Sequence, residues 1–166
     1  MEPKTVRRAN GALAPARHVA PDSAANALIA GTVVLTLDGA LPVEFIDAGD
    51  RVITRDSGMA IVRRVQRRRR HVACIGVRAG SLGNTRPDRD AVFPASQEML
   101  VRDWRAGALF GASQALVPMG RLVDGEFVRD LGMLEVDTIE LVFDTPHILY
   151  ADGLEVASTA KVGQDA

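Results

Sequence analysis

The residues able to do polar chemistry are few and scattered: the chain holds one cysteine and three histidines in 166 residues. Cys74 lies inside the apolar run Val72-Ala73-Cys74-Ile75-Gly76-Val77, where a small buried thiol is expected, and burial makes a thiol unreactive. It has no second cysteine with which to form an internal disulfide. His18 stands in a stretch rich in Pro and Ala, His71 closes a basic run, and His147 sits at the start of a strand-like segment. Ligands so dispersed predict no zinc or iron site, and no cofactor is expected. The densest charge is "VRRVQRRRRH", Val62 to His71, which carries six arginines. Such a run can neutralise several phosphates and would then bind nucleic acid with a steep salt dependence. It also fits a solvent-exposed strand, residues 63–70, whose charges discourage pairing with another chain. The second reading is preferred, since no aromatic residues are interleaved to stack on bases and the net charge is only −1. Nucleic acid is therefore not the expected partner.

Those residues must be held by elements made mostly of strands. Composition is that of a globular chain, 47% hydrophobic and 25% charged, and the length suits one domain. Residues 1–26 contain Pro3, Pro15 and Pro21 and no apolar period, so a disordered arm is expected there, with a domain over 27–160 and a flexible tail over 161–166. From Gly31 the text changes. "TVVLTL" is β-branched, Asp38-Gly39 is a hairpin signal, and "ALPVEFI" answers it. Asp56-Ser57-Gly58, Asp124-Gly125 and Asp152-Gly153 are further turn signals between short apolar segments, and Pro94 and Pro146 mark strand ends. One helix is predicted in "DWRAGALFGASQAL", with Trp104, Ala108, Leu109, Ala112 and Leu116 sharing an apolar face, and Trp104 and Phe110 read as core. The expected fold class is all-β with many short strands and at most one short helix. No stretch has the length and purity of a membrane span and no signal-peptide core begins the chain, so a cytoplasmic protein is expected.

The stretch "AGTVVLTLDGALPVEFIDAGDRVITRDSG" resembles the opening of a Hint domain, the autoprocessing fold of hedgehog proteins and inteins. The likeness rests on Gly31-Thr32, Asp38-Gly39, Pro42-Val43-Glu44 and Gly49-Asp50-Arg51-Val52-Ile53-Thr54, in the pattern of the family's bacterial members. "VRAGSLG", "VPMGRLVDGEF" and "LVFDTPHILYADGLEV" are similar to later blocks of the same group. The resemblance implies a compact Hint-like β fold and self-processing chemistry. In that chemistry a Cys or Ser attacks the preceding carbonyl, and a central hydroxyl and His, three residues apart, polarise the amide and protonate its leaving nitrogen.

Carried over position by position, the chemistry thins out. The nucleophile position, four residues before Gly31, holds Ala27, preceded by Asn26; a methyl group cannot undergo an acyl shift. Ser23 and Thr32 are the nearest hydroxyls, displaced by four and five residues. The central hydroxyl and His fall on Ala95 and Glu98, and Glu98 acts as an acid only if burial raises its pKa. The closing His-Asn falls on Ala157-Ser158. The late Asp and His survive as Asp144 and His147, the two candidate catalytic residues, though an Asp at a turn before Pro and a lone His beside a strand also serve structure alone. The expected function is a degenerate Hint domain, without self-cleavage, that acts as a binding module for a protein or peptide segment. Two alternatives stand beside it: an autoproteolytic domain using a non-standard nucleophile, and a nucleic-acid-binding module built on the arginine strand.

Overall fold

The computed structural model describes residues 26–83 and 85–160. Apart from Asn26, the arm expected over 1–26 lies outside the described residues, as does the tail over 161–166. The first five strands, β1 (Leu28–Ile29), β2 (Val33–Thr36), β3 (Gly39–Pro42), β4 (Arg51–Thr54) and β5 (Gly58–Ile61), are short. Then come the long β6 (Arg64–Val77), β7 (Ala91–Pro94), β8 (Glu98–Val101), the helix α1 (Trp104–Phe110) and β9 (Ala115–Pro118). The long β10 (Val128–Phe143) precedes β11 (Ile148–Ala151), β12 (Leu154–Ala157) and β13 (Thr159–Ala160). This is the all-β class with one short helix.

The strands form two sheets. One runs β1-β10-β6-β7, with β13 also on β10; the other runs β3-β2-β4-β11-β12-β8-β9, with β5 on β4. The turn signals act where a hairpin needs them: β2 pairs with β3 across Asp38, β4 with β5 across Asp56-Ser57, and β11 with β12 across Asp152-Gly153. The last of these has positive φ at both central residues, 50° and 83°, the geometry whose twist matches the flanking strands. Asp124-Gly125 differs from the expected hairpin. It caps a loop leading into β10, the Asp124 carboxylate accepting from the N–H groups of Glu126, Phe127 and Val128.

The basic run and the apolar run after it prove to be one strand. β6 pairs antiparallel with β10 from Arg64 opposite Val142 to Val77 opposite Val128, with an irregularity at Asp130–Gly132. Its first part is a largely exposed ribbon and its last residues, Cys74 to Val77, are buried. Three of the six arginines of the run are paired locally: Arg63 with Asp144, Arg67 with Asp47, and Arg69 with Asp137 and Glu135. Between the sheets lies a core that includes Phe93, Phe143, Ile46, Met119, Leu149 and Leu154, each nearly or wholly inaccessible. The helix departs from expectation. Trp104 is 71% exposed and Leu109 is exposed, while Ala106 is the buried residue of α1 and Leu116 belongs to β9. Seven residues make two turns, too short for the apolar face read from fourteen. No helix among the described residues is long and apolar enough to cross a membrane.

Candidate functional site

β1 lays the start of the domain against the middle of β10, Leu28 opposite Ile139 and Ile29 opposite Thr138. Ala27, just before it, is buried, and its methyl lines an apolar cleft of about 320 Å³ shared with Arg70, His71, Ala73, Ala95 and Met133. Asn26 is held at its backbone carbonyl and at both ends of its carboxamide. Its backbone carbonyl accepts from Thr159 Oγ1 at 3.2 Å. Its side-chain oxygen accepts from Glu98 N at 2.8 Å and Gln97 Nε2 at 3.1 Å, and its Nδ2 donates to Glu98 Oε1 at 3.2 Å.

Gln97 ties this corner together. It is 1% exposed, and its Nε2 also donates to the carbonyls of Glu98 and Ala157, each at 2.9 Å. The structure thus gathers the positions that the sequence aligned as chemical stations. Ala27 and Ala95 share one cleft wall, Glu98 binds the residue before Ala27, and Ala157 is reached through Gln97. Their side chains supply three methyl groups and a half-buried carboxylate already used as an acceptor. Of the substitute hydroxyls, Ser23 lies outside the described residues. Thr32 is buried at the turn between β1 and β2, its backbone bonded to Ile29 and Val43.

The two candidate catalytic residues, Asp144 and His147, lie in the connection from β10 to β11 and line a groove of about 300 Å³ together with Arg63 and Phe143. Asp144 is exposed and pairs with Arg63 at 3.0 Å. His147 takes a different carboxylate: its Nδ1 is 2.8 Å from Asp56 Oδ2 and 3.3 Å from Ser57 Oγ, and its Nε2 is 3.3 Å from Thr145 Oγ1. The ring also meets Phe143 edge-on, with centroids 5.5 Å apart. Burial works against ionising Asp56, but the N–H of Ile148 and the His147 side chain outweigh it and hold the carboxyl below its ordinary range. Along the backbone, His147 N donates to Ser158 Oγ and Ser158 N to His147 O, both at 2.9 Å. His147 is thereby linked through Ser158 to Thr159, which holds the Asn26 carbonyl.

Sequence reasoning read Asp56 only as a turn former and gave Gln97 no role. Nothing local marks either one: the partner of Asp56 is 91 residues away, and Gln97 differs from a surface glutamine only in its burial. Cys74 is fully buried, and desolvation pushes its thiol above its ordinary range, which lowers the fraction present as thiolate. Among the described residues no group of three or more His, Cys, Asp or Glu is placed to hold a metal ion.

A family model described as "Hint domain" matches residues 26–163. Among solved structures, the chain is similar to the bacterial intein-like domain from Clostridium thermocellum at 18% identity, with 81% of this chain and 98% of that chain covered and a TM-score of 0.53. It is also similar to a DnaB intein from Synechocystis at 13% identity, with 80% and 98% covered and a TM-score of 0.57. At these identities the likeness to the solved structures is one of fold. No curated protein matches the sequence.

Proposed function

The chain belongs to the Hint domain family, and from that premise we propose that it has left self-processing behind and works as a binding module, seating an extended peptide segment in the cleft beside Ala27. The observation that carries this reading is Ala27 itself. An N-to-S or N-to-O acyl shift needs a thiol or hydroxyl on residue 27, whose own nitrogen gives up the acyl group, and residue 27 offers a buried methyl; the Thr159 hydroxyl only donates a hydrogen bond to the Asn26 carbonyl oxygen. Asn26, held at its carbonyl and at both ends of its carboxamide, has the look of a junction kept in place, not one prepared for breakage. Losing the nucleophile does not empty the cleft around it, which stays apolar and is rimmed by Arg70 and His71. On this reading Asp144 and His147 position the β10–β11 connection through Arg63 and Asp56. The module works in the cytoplasm, in keeping with a single unpaired cysteine.

Intact mass tests the first half of the reading. The wild-type chain is expected to keep its full mass over days, with or without thiol or hydroxylamine. The double variant Ala27→Cys with Glu98→His, which restores the nucleophile and the central His, is expected to break between residues 26 and 27 when thiol is added. A wild-type break at Asn26–Ala27, or an ester trapped by hydroxylamine at Thr32, would overturn the reading in favour of an active domain with a non-standard nucleophile. The cleft is tested with the fluorescent apolar probe anilinonaphthalene sulfonate. Ala73→Trp, which fills the cleft, should abolish the signal, and an unchanged signal would remove the cleft from the proposal.

A further inference from the structure

Away from the cleft, one carboxylate is met by three arginines. Glu155 on β12 has a side chain only 6% exposed. Arg102, just after β8, donates Nε at 2.8 Å to one of its oxygens and Nη2 at 3.1 Å to the other. Arg55, just after β4, donates Nε at 3.2 Å, and Arg86 Nη1 from the loop before β7 lies at 3.9 Å. The nearby carboxylate Asp152 is already committed to Arg89 and to the N–H of Val33. Asp88 packs against Gly153.

A single carboxylate offsets only one of the three guanidiniums, and like charges gathered this closely repel unless more negative charge joins them. The groups are also open to solvent, since the side chains of Arg55, Arg86 and Arg102 are 37%, 29% and 38% exposed. Donors remain unused. Arg86 Nε is buried without a hydrogen-bond partner, and so is Ser81 Oγ in the same loop. An unsatisfied buried donor is disfavoured, and Arg86 Nε, within a cluster with surplus positive charge, marks a place that lacks an acceptor. Each guanidinium presents five N–H groups in a planar fork, so one edge can rest on Glu155 while another faces outward.

We propose that Arg55, Arg86 and Arg102 form a binding site for a small dianionic oxyanion of the phosphate class, with Glu155 as the fixed counter-charge that holds the guanidiniums in position. A dianion matches the surplus of charge, and a tetrahedral oxyanion can be met by forks arriving from three separate loops, whereas a monocarboxylate offers two coplanar oxygens and one charge. The site shares no residue with the cleft at Ala27, so its fate is independent of the peptide-binding reading.

The test is thermal unfolding and calorimetric titration of the purified chain with inorganic phosphate and with methyl phosphate, each against sodium chloride and sodium acetate at equal ionic strength. A saturable rise in melting temperature with phosphate, absent with acetate, is expected. Arg86→Gln keeps the two closer ion pairs on Glu155 and so leaves the fold in place, as its melting temperature in chloride will report; its affinity for phosphate should fall at least tenfold. Arg55→Gln should lower it similarly. Binding of inorganic phosphate alone would identify a free anion as the ligand, and binding of both probes an esterified phosphate. A response that follows ionic strength alone, or that is unchanged in Arg86→Gln, would overturn the proposal.

Discussion

His147 is gripped at both ring nitrogens and along its backbone, and Asp56 does most of the gripping, with one oxygen on the imidazole and the other on the N–H of Ile148. Asp56→Asn is therefore expected to cost about 1 kcal/mol at neutral pH, a drop of about 2–4 °C in melting temperature for a chain of this size. The pH dependence has a definite sign. The folded-state carboxyl titrates below its unfolded value, so the stability it contributes is present above the unfolded pKa and is lost as pH falls through the folded one. Melting curves of wild type and variant should thus begin to draw together as pH falls below about 4 and meet only in stronger acid; a gap that persists into strong acid would mean that Asp56 acts by packing. At this scale the sequence was legible where a motif fixed the register: counting back from Gly31 gave Ala27, and the family's central block gave Ala95 and Glu98; that the three meet in one corner came from the fold. Asp56 and Gln97 were illegible because their roles depend on partners brought in by the fold.

The hairpin between β11 and β12 carries two separate constraints at one glycine. Gly153 has φ of 83°, and a Cβ there would come within 2.8 Å of Asp88 Oδ1. Gly125 has nearly the same φ, 82°, with nothing within 4 Å of its would-be Cβ. Gly125→Ala should cost only the backbone strain, about 1–2 kcal/mol, while Gly153→Ala should cost more because the Asp88 carboxylate must also move. Urea unfolding of the two variants makes the comparison, and equal losses would show that Asp88 yields freely. Short hairpins were readable from their turn dipeptides because turn chemistry is local. The long strands were not. β6 changes from an exposed arginine-rich ribbon to a buried apolar end without a break in pairing, so its two halves read as different elements. Trp104 misled in the opposite sense: its size suggested core, but the short α1 leaves it on the surface beside Arg105.

Across the whole molecule the two sheets share a core to which Phe143 contributes one of the largest fully buried side chains. Phe143→Ala should lose about 3–5 kcal/mol, which denaturant titration would register. The loss should also loosen His147, whose ring rests on that phenyl group. At this scale the net charge is −1, and Arg63, Arg67 and Arg69 of the basic run face Asp144, Asp47, Asp137 and Glu135. Short duplexes titrated against salt should reveal no sequence-independent binding, and changing Arg67 to Arg70 to Gln should alter nothing; a steep salt slope lost in that variant would reinstate the nucleic-acid reading. The pairing of β1 and β13 with one strand has a topological consequence. Leu28 is registered on Ile139 and Thr159 on Val142, and Thr159 hydrogen-bonds Asn26, so the two ends of the folded unit leave it side by side. A few residues suffice to join such ends into a ring, and short closures carry little entropy. Circular permutants with new termini opened at the Asp124-Gly125 loop should keep the fold, and the same proximity lets the unit be carried within a surface loop of another protein without forcing that loop apart.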